Sequence, residues 1–114
     1  MYKLHGLVQE GERKGRALGF PTINIPLTDR DLSGIFAAKV IFDVSKIALA
    51  AVYANQARRI LEAHLLDFDG DLYGREVEID LLEKIREDRT FDNEAALKAA
   101  IEQDIAKVQK YFKN

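Results

Sequence analysis

The chain has 114 residues, 47% of them hydrophobic, which suits one compact domain with a single core. Its 17 basic and 19 acidic residues leave a formal net charge of −2, which argues against a free-standing nucleic-acid-binding protein. The absence of cysteine excludes disulfides and a thiol nucleophile, and no apolar run approaches the roughly 18 residues of a membrane span.

Residues 9–33 form a long polar segment, and in so small a domain such a loop is usually functional or disordered. Its glycines allow the backbone to approach a ligand closely, and its cations add positive charge beside exposed amides. This combination predicts a polyphosphate site, although the spacing differs from the Gly-x4-Gly-Lys-Ser/Thr phosphate loop and an ordinary Gly-rich loop is the alternative. The residues concerned are Gly11, Lys14, Gly15, Arg16 and Gly19.

Behind this loop, Pro21 leads into an extended segment in which Thr22 and Asn24 are two residues apart. Their side-chain oxygens therefore point to the same side. Two neutral oxygens form a modest Mg²⁺ site alone, but an adequate one when nucleotide phosphates supply the charge. The alternative is that both side chains bond their own backbone.

A two-residue periodicity from residue 34 to about 85 predicts strands over 35–43, 47–53, 60–66 and 76–82. In the first strand Phe36, Ala38, Val40 and Phe42 would share one face. Asp69-Gly70 is a hairpin signal between the last two strands. Short antiparallel strands separated by turns predict a closed or nearly closed β-barrel.

The predicted third strand carries a second group of polar residues, because Glu62 and His64 share the face opposite Leu61, Ala63 and Leu65. A carboxylate beside a magnesium–nucleotide site can take a proton from an attacking hydroxyl. A surface glutamate is the alternative reading of Glu62. A lone histidine at this spacing is more often structural, so His64 is assigned no chemistry.

From Asp92 onward the periodicity becomes helical, with an apolar stripe that predicts one helix packed on the barrel. Asp92 or Asn93 can cap its start, and lysines near its end suit the negative end of the helix dipole. The stripe comprises Leu97, Ile101, Ile105, Val108 and Phe112.

Two long motifs, together with Ile-Arg-Glu at residues 85–87 and Phe-Asp at 91–92, resemble the riboflavin kinase family. The first is Gly-Arg-x-Leu-Gly-x-Pro-Thr-x-Asn at residues 15–24, followed by Gly-Ile-Phe-Ala at 34–37. The second is Glu-x-His-Leu-Leu-Asp-Phe-x-Gly-Asp-Leu-Tyr-Gly at residues 62–74. The resemblance runs from about Gly6 to the C-terminal helix, and it implies a mainly β, Greek-key barrel of about six antiparallel strands with one C-terminal α-helix.

The resemblance also implies the roles of individual residues. Thr22 and Asn24 resemble the family's magnesium–ATP ligands, and Glu62 resembles its catalytic base. Residues 11–19 resemble a nucleotide flap, and the segment from Arg86 to Phe91 resembles the loop that closes over the flavin. The expected activity is phosphorylation of riboflavin by ATP, with Mg²⁺, to give FMN and ADP.

One segment departs from the family pattern. The family usually carries Asn-x-Gly and then a loop containing Pro-Thr, whereas this chain has Asn-Gln-Ala-Arg-Arg-Ile at residues 55–60, several residues shorter. A shorter rim predicts weaker substrate binding, partly offset if Arg58 and Arg59 attract phosphates. The alternative function is a non-catalytic flavin- or nucleotide-binding module of the same fold.

These observations together predict a single kinase-like domain over residues 1–114, without room for a second catalytic module. The domain is expected to be monomeric. It is also expected to be cytoplasmic, because the N-terminus lacks the apolar run of a signal peptide. Neither nucleic acid nor membrane is an expected partner.

Overall fold

The computed structural model describes residues 2–9, 22–68 and 70–113. Within these ranges six antiparallel strands form one sheet, and one helix follows them. The elements are β1 (Tyr2–Leu7), β2 (Thr22–Pro26), β3 (Gly34–Phe42), β4 (Lys46–Asn55), β5 (Ile60–Leu65), β6 (Glu76–Arg86) and α1 (Glu94–Lys113). No helix of the described ranges is long and apolar enough to cross a membrane.

The strand order is β1-β6-β3-β4-β5-β2. Strands β3, β4 and β5 are joined in sequence, and β6 returns to lie beside β3, which is the arrangement of a Greek key. The predicted fold class, a small mainly β antiparallel barrel with one C-terminal helix, is therefore confirmed.

The two edges of the sheet approach each other where β1 meets β2. The backbone N–H of Gln9 donates to the carbonyl oxygen of Asn24 over 2.7 Å, which continues the contact just beyond β1. Gly6 is required here, because a Cβ at this position would lie 2.8 Å from Cβ of Ile25. The curved sheet thereby encloses a core of fully buried aliphatic side chains, among them Ile25, Leu61 and Leu81.

The predicted strand faces are confirmed, since Phe36, Ala38, Val40 and Phe42 all lie in this core. Strand β6, however, runs four residues beyond its predicted end at residue 82. Its pairing with β3 shifts register twice. These β-bulges insert extra residues into β6 and break the two-residue alternation from which its length was predicted.

The hairpin predicted at Asp69-Gly70 was wrong. Gly70 has a positive φ of 137°, as a turn glycine can, but β5 pairs with β4 and β2 whereas β6 pairs with β3 and β1. Strands β5 and β6 are therefore not neighbours. In the described part of the segment between them, Leu72 is buried, and the Phe68 ring packs edge-on against the Phe42 ring with centroids 5.3 Å apart. The connection runs from residue 66 to residue 75, which is the kind of long connection that a Greek key needs, whereas a tight turn joins adjacent strands.

Helix α1 packs on the outer face of the sheet. Ile105 and Val108 contact Ala37 of β3 and Ala51 of β4, whose small side chains let the helix approach the strands. Asn93 caps the helix, because its Oδ1 accepts a hydrogen bond of 2.8 Å from the N–H of Ala96. The C-terminal half of the predicted apolar stripe is thus buried against the sheet.

Candidate active site

The pairing of β2 with β5 brings together three of the predicted site residues. Asn24 lies directly opposite Glu62, and Thr22 lies directly opposite His64. Side chains opposite each other in an antiparallel pair share a face, with Cβ atoms about 4.5–5.5 Å apart. The predicted magnesium ligands and the predicted base are therefore neighbours, although Asn24 and Glu62 are 38 positions apart in the sequence.

Asn24 is 3% exposed, and its Oδ1 has no hydrogen-bond partner among the described residues. An unsatisfied buried acceptor costs about 1–3 kcal/mol, so such an atom usually has a further role. An amide oxygen is a suitable ligand for a hard cation such as Mg²⁺. The described residues contain no cluster of three or more His, Cys, Asp or Glu, so a cation here would depend on phosphate oxygens for charge.

Glu62 is half-buried, and its carboxylate has a close neighbour on the same strand. Nε2 of His64 lies 3.3 Å from Oε1 of Glu62. The imidazole of His64 is buried, and its Nδ1 has no partner within the described ranges. Sequence reasoning gave His64 no role, because its spacing alone does not show that the ring turns toward Glu62 rather than into a core.

A cavity of about 480 Å³ lies between α1 and the outer face of the sheet, and Glu62 and His64 line one side of it. Leu97 and Ile101, the N-terminal half of the apolar stripe, form part of the helix side and are only partly buried. A volume of this size and a mixed apolar and polar lining suit a small organic molecule. The stripe predicted as core thus divides into a packed half and a half that faces the cavity.

The predicted flavin-binding residues Arg86 and Phe91 also line this cavity. The guanidinium of Arg86 donates two hydrogen bonds of 2.8 Å to Asp104, which is buried in α1. Its remaining Nη1 donates to the carbonyl oxygen of Glu87 over 3.0 Å. The hydrogen bonds to Asp104 raise the pKa of Arg86. Arg86 is therefore held as an anchor between β6 and α1.

Arg89 and Phe91 continue the cavity wall beyond Arg86, and three contacts fix the segment 87–91. The hydroxyl of Tyr53 donates to Oδ1 of Asp88 over 2.5 Å. Burial and this hydrogen bond raise the pKa of Tyr53, so the phenol remains a donor at neutral pH. The Phe91 ring lies 4.9 Å from the guanidinium carbon of Arg89 and 5.7 Å from that of Arg86. Both distances are in the range of cation–π contacts.

The shortened rim is a tight turn that is tied to the segment after β2. Gln56 donates from its Nε2 to the carbonyl oxygens of Asp29 and Leu32, and Arg59 donates to that of Thr28 over 3.1 Å. Arg59 has a positive φ of 56°, so the turn closes on a left-handed residue. The side chain of Arg59 is thus committed to the rim itself, whereas the exposed Arg58 lines the cavity.

The five predicted phosphate-binding residues lie outside the described residues. They are Gly11, Lys14, Gly15, Arg16 and Gly19.

Comparison with known proteins relates the chain to one family. The sequence model described as "Flavokinase: Riboflavin kinase" matches residues 1–112. A bifunctional riboflavin kinase/FMN adenylyltransferase of Buchnera aphidicola subsp. Acyrthosiphon pisum is 35% identical over 122 residues. This alignment covers 98% of the chain but only 39% of that relative, so the chain spans well under half of its length.

Two crystal structures share the fold. One, described as a macrolide-efflux protein from Streptococcus pneumoniae, has a TM-score of 0.76 at 25% identity, over 94% of this chain and 38% of that one. The other, riboflavin kinase from Trypanosoma brucei, has a TM-score of 0.69 at 24% identity. The second match covers 98% of this chain and 77% of that one.

Proposed function

Because the chain belongs to the riboflavin kinase family, we propose that it transfers the γ-phosphoryl group of ATP to the 5′-hydroxyl of riboflavin, giving FMN and ADP. One observation carries this proposal beyond family membership. A carboxylate, Glu62, lines a cavity of about 480 Å³ and lies on β5 directly opposite Asn24, whose amide oxygen has no partner among the residues that the structure describes. A base thus lies between a space for an organic acceptor and a candidate cation ligand.

Riboflavin would occupy the cavity between α1 and the sheet. Leu97 and Ile101 offer apolar contacts to a flat ring system, and Phe91 offers an aromatic edge or face. With the ring system against these residues, the ribityl chain can extend along β5 toward Glu62. Arg86 holds the wall at residues 87–91 through hydrogen bonds to Asp104 and Glu87, which use three of its five N–H donors.

Mg²⁺–ATP would bind beside β2, with Asn24 and Thr22 as the protein's oxygen ligands to the cation. The cation, when bound, neutralises charge on the transferred phosphoryl group. Asn24 fits this role because its Oδ1 is already desolvated and has no partner among the described residues. The family's flap corresponds to residues 11–19, which would supply backbone amides and cations to the phosphates.

In the transfer step, the riboflavin 5′-oxygen attacks the γ-phosphorus. The bond between the γ-phosphorus and the bridging oxygen breaks, and that oxygen leaves with ADP. Glu62 accepts the proton that the 5′-hydroxyl loses. Most of the rate gain in such reactions comes from alignment and charge neutralisation. General-base assistance contributes about 10²–10⁴-fold more.

A second candidate, a flavin- or nucleotide-binding module without activity, is favoured by the short rim at residues 55–60. The turn from Gln56 to Arg59 folds back on residues 28–32 and has fewer residues than the loop expected of the family. A kinase with this rim should show a raised KM for its substrates with kcat little changed. Grafting a family-length loop between Asn55 and Ile60 should then lower KM.

The test is direct: purified protein is incubated with riboflavin and Mg–ATP, and FMN is detected by chromatography. FMN formation that depends on both ATP and Mg²⁺ is the expected result. Riboflavin binding without FMN would favour the binding module. A single domain over residues 1–114, a monomeric state and a cytoplasmic location remain predictions.

A further inference from the structure

Arg59 closes the rim turn in a backbone conformation that an arginine does not favour. Its φ is 56°, and residues other than Gly, Asn and Asp rarely adopt this left-handed conformation. Two hydrogen bonds to the segment after β2 hold it there. The carbonyl oxygen of Arg59 accepts from the N–H of Leu27 over 2.9 Å, and Nη2 of Arg59 donates to the carbonyl oxygen of Thr28 over 3.1 Å. Backbone held against its local preference is found mostly at functional sites.

Gln56, at the other end of the turn, is bonded to the same segment. Its Nε2 donates to the carbonyl oxygens of Asp29 and Leu32 over 2.8 Å and 2.5 Å. Its Oε1 accepts from Nη1 of Arg59, so both the nitrogen and the oxygen of the amide are engaged. Gln56 and Arg59 together form a rim clamp that joins the turn to residues 27–32.

The other residues of this turn face the cavity. Asn55 and Arg58 line it, whereas Gln56 and Arg59 are not among the described residues that do so. The N–H of Arg58 donates to Oδ1 of Asn55 over 3.1 Å, so the two lining residues are also tied to each other. A cavity edge that is already ordered binds a ligand at a smaller entropic cost than one that must be ordered on binding.

We propose that Gln56 and Arg59 are positioning residues that keep the cavity edge, formed by Asn55 and Arg58, in place for riboflavin. The short rim offers fewer contacts than a longer loop, and its fixed conformation offsets part of that loss. Arg59 thereby acts on riboflavin binding through hydrogen bonds within the chain, whereas attraction of phosphates would act on ATP. The proposal rests on the proposed function, because it takes riboflavin as the ligand of the cavity.

Two substitutions release the rim clamp at different points. Arg59→Gly removes the guanidinium, and glycine adopts the left-handed conformation without strain. Gln56→Leu keeps most of the side-chain volume but removes the amide donors. Each should weaken riboflavin binding about 3- to 10-fold, measured by titration of riboflavin fluorescence, which needs no turnover. The KM for riboflavin should rise by a similar factor with kcat nearly unchanged, because binding rather than the transfer step is affected.

Urea denaturation separates positioning from a general loss of structure. The midpoint of Arg59→Gly should stay at or above that of the parent protein, because the left-handed strain at this position is relieved. Arg30→Ala is the matched control for the lost charge. Arg30 is exposed, lies in the segment that the clamp contacts, and is not among the described residues that line the cavity. It should leave riboflavin affinity unchanged.

Three results would overturn the proposal while FMN formation by the parent protein upheld the kinase function. They are unchanged riboflavin affinity in both clamp variants, a rise in the KM for ATP alone, and weaker riboflavin binding accompanied by a lower urea midpoint in Arg59→Gly. A parent protein that binds riboflavin but makes no FMN would contradict the kinase function, and the same titrations would still decide the role of the clamp. A parent protein that binds no riboflavin overturns both.

Discussion

At the residue scale, the site combines side chains whose chemistry was visible in the sequence with contacts that were not. The motif at residues 15–24 indicated Thr22 and Asn24, and the second motif indicated Glu62. The structure adds that Asn24 and Glu62 are directly opposed. The buried state of Asn24, whose Oδ1 has no partner in the described part of the chain, could not be read from spacing, because it depends on how β2 pairs with β5.

The magnesium ligands give a prediction at this scale. Thr22→Ala and Asn24→Ala each remove one oxygen, so each should raise the Mg²⁺ concentration needed for half-maximal rate, while free riboflavin binding changes less. Thr28→Ala is the matched control, since Thr28 lies just beyond β2 and is exposed. Magnesium titrations that coincide for parent protein, both variants and control would show that the pair is structural.

At the scale of elements, the packing of α1 on the sheet depends on the two hydrogen bonds between the Arg86 guanidinium and the Asp104 carboxylate. The side chains of Arg86 and Asp104 are only 16% and 6% exposed, so removing one partner leaves a buried charge. Arg86→Met keeps the aliphatic stem and should lower the free energy of unfolding by about 3–5 kcal/mol, measured by urea denaturation.

The control for this prediction is Arg75→Met. Arg75 also pairs with an aspartate at 2.8 Å, but the Arg75 side chain is 51% exposed and that of its partner Asp43 is 38% exposed. An exposed pair contributes under about 1 kcal/mol. If both substitutions lowered the free energy of unfolding equally, the Arg86–Asp104 pair would not be an anchor of α1.

The loop at residues 87–91 gives a second prediction about elements. Tyr53→Phe removes the hydroxyl that donates to Asp88, so the cavity wall loses one tether and riboflavin affinity should fall about 3- to 10-fold. Tyr73→Phe, at an exposed tyrosine, is the control. Because the pKa of Tyr53 is raised, the tether is fully present below the usual tyrosine pKa of about 10 and is lost only as the pH rises through the higher value. Riboflavin titrations followed by fluorescence provide the measurement, and an unchanged affinity would refute the tether.

Elements with regular patterns were the predictable part of the fold. The interior faces of β3 and β6 and the stripe of α1 follow directly from periods of two and about 3.6. Strand β1 has no such pattern, because its large apolar residues Tyr2 and Leu7 are exposed. Its position is set by backbone pairing with β6, which the pattern of side chains does not reveal. The failed hairpin at residue 70 shows the same limit, since a turn signal does not specify which strands become neighbours.

At the scale of the whole molecule, the single kinase-like domain predicted over residues 1–114 should catalyse one step. We predict that it converts riboflavin to FMN and stops there. Purified chain incubated with FMN and Mg–ATP should give no FAD by chromatography. FAD formation would contradict the single kinase domain predicted for residues 1–114.

The proposed role of Glu62 as the base of a riboflavin kinase is tested most directly by the turnover of Glu62→Gln. This variant keeps the shape of the side chain but cannot accept the proton, so kcat for FMN formation should fall about 10²–10⁴-fold while riboflavin and ATP binding stay nearly unchanged. Glu78→Gln, on the β1–β6 edge, should retain full activity. An active parent protein with an equally active Glu62→Gln variant would contradict the claim.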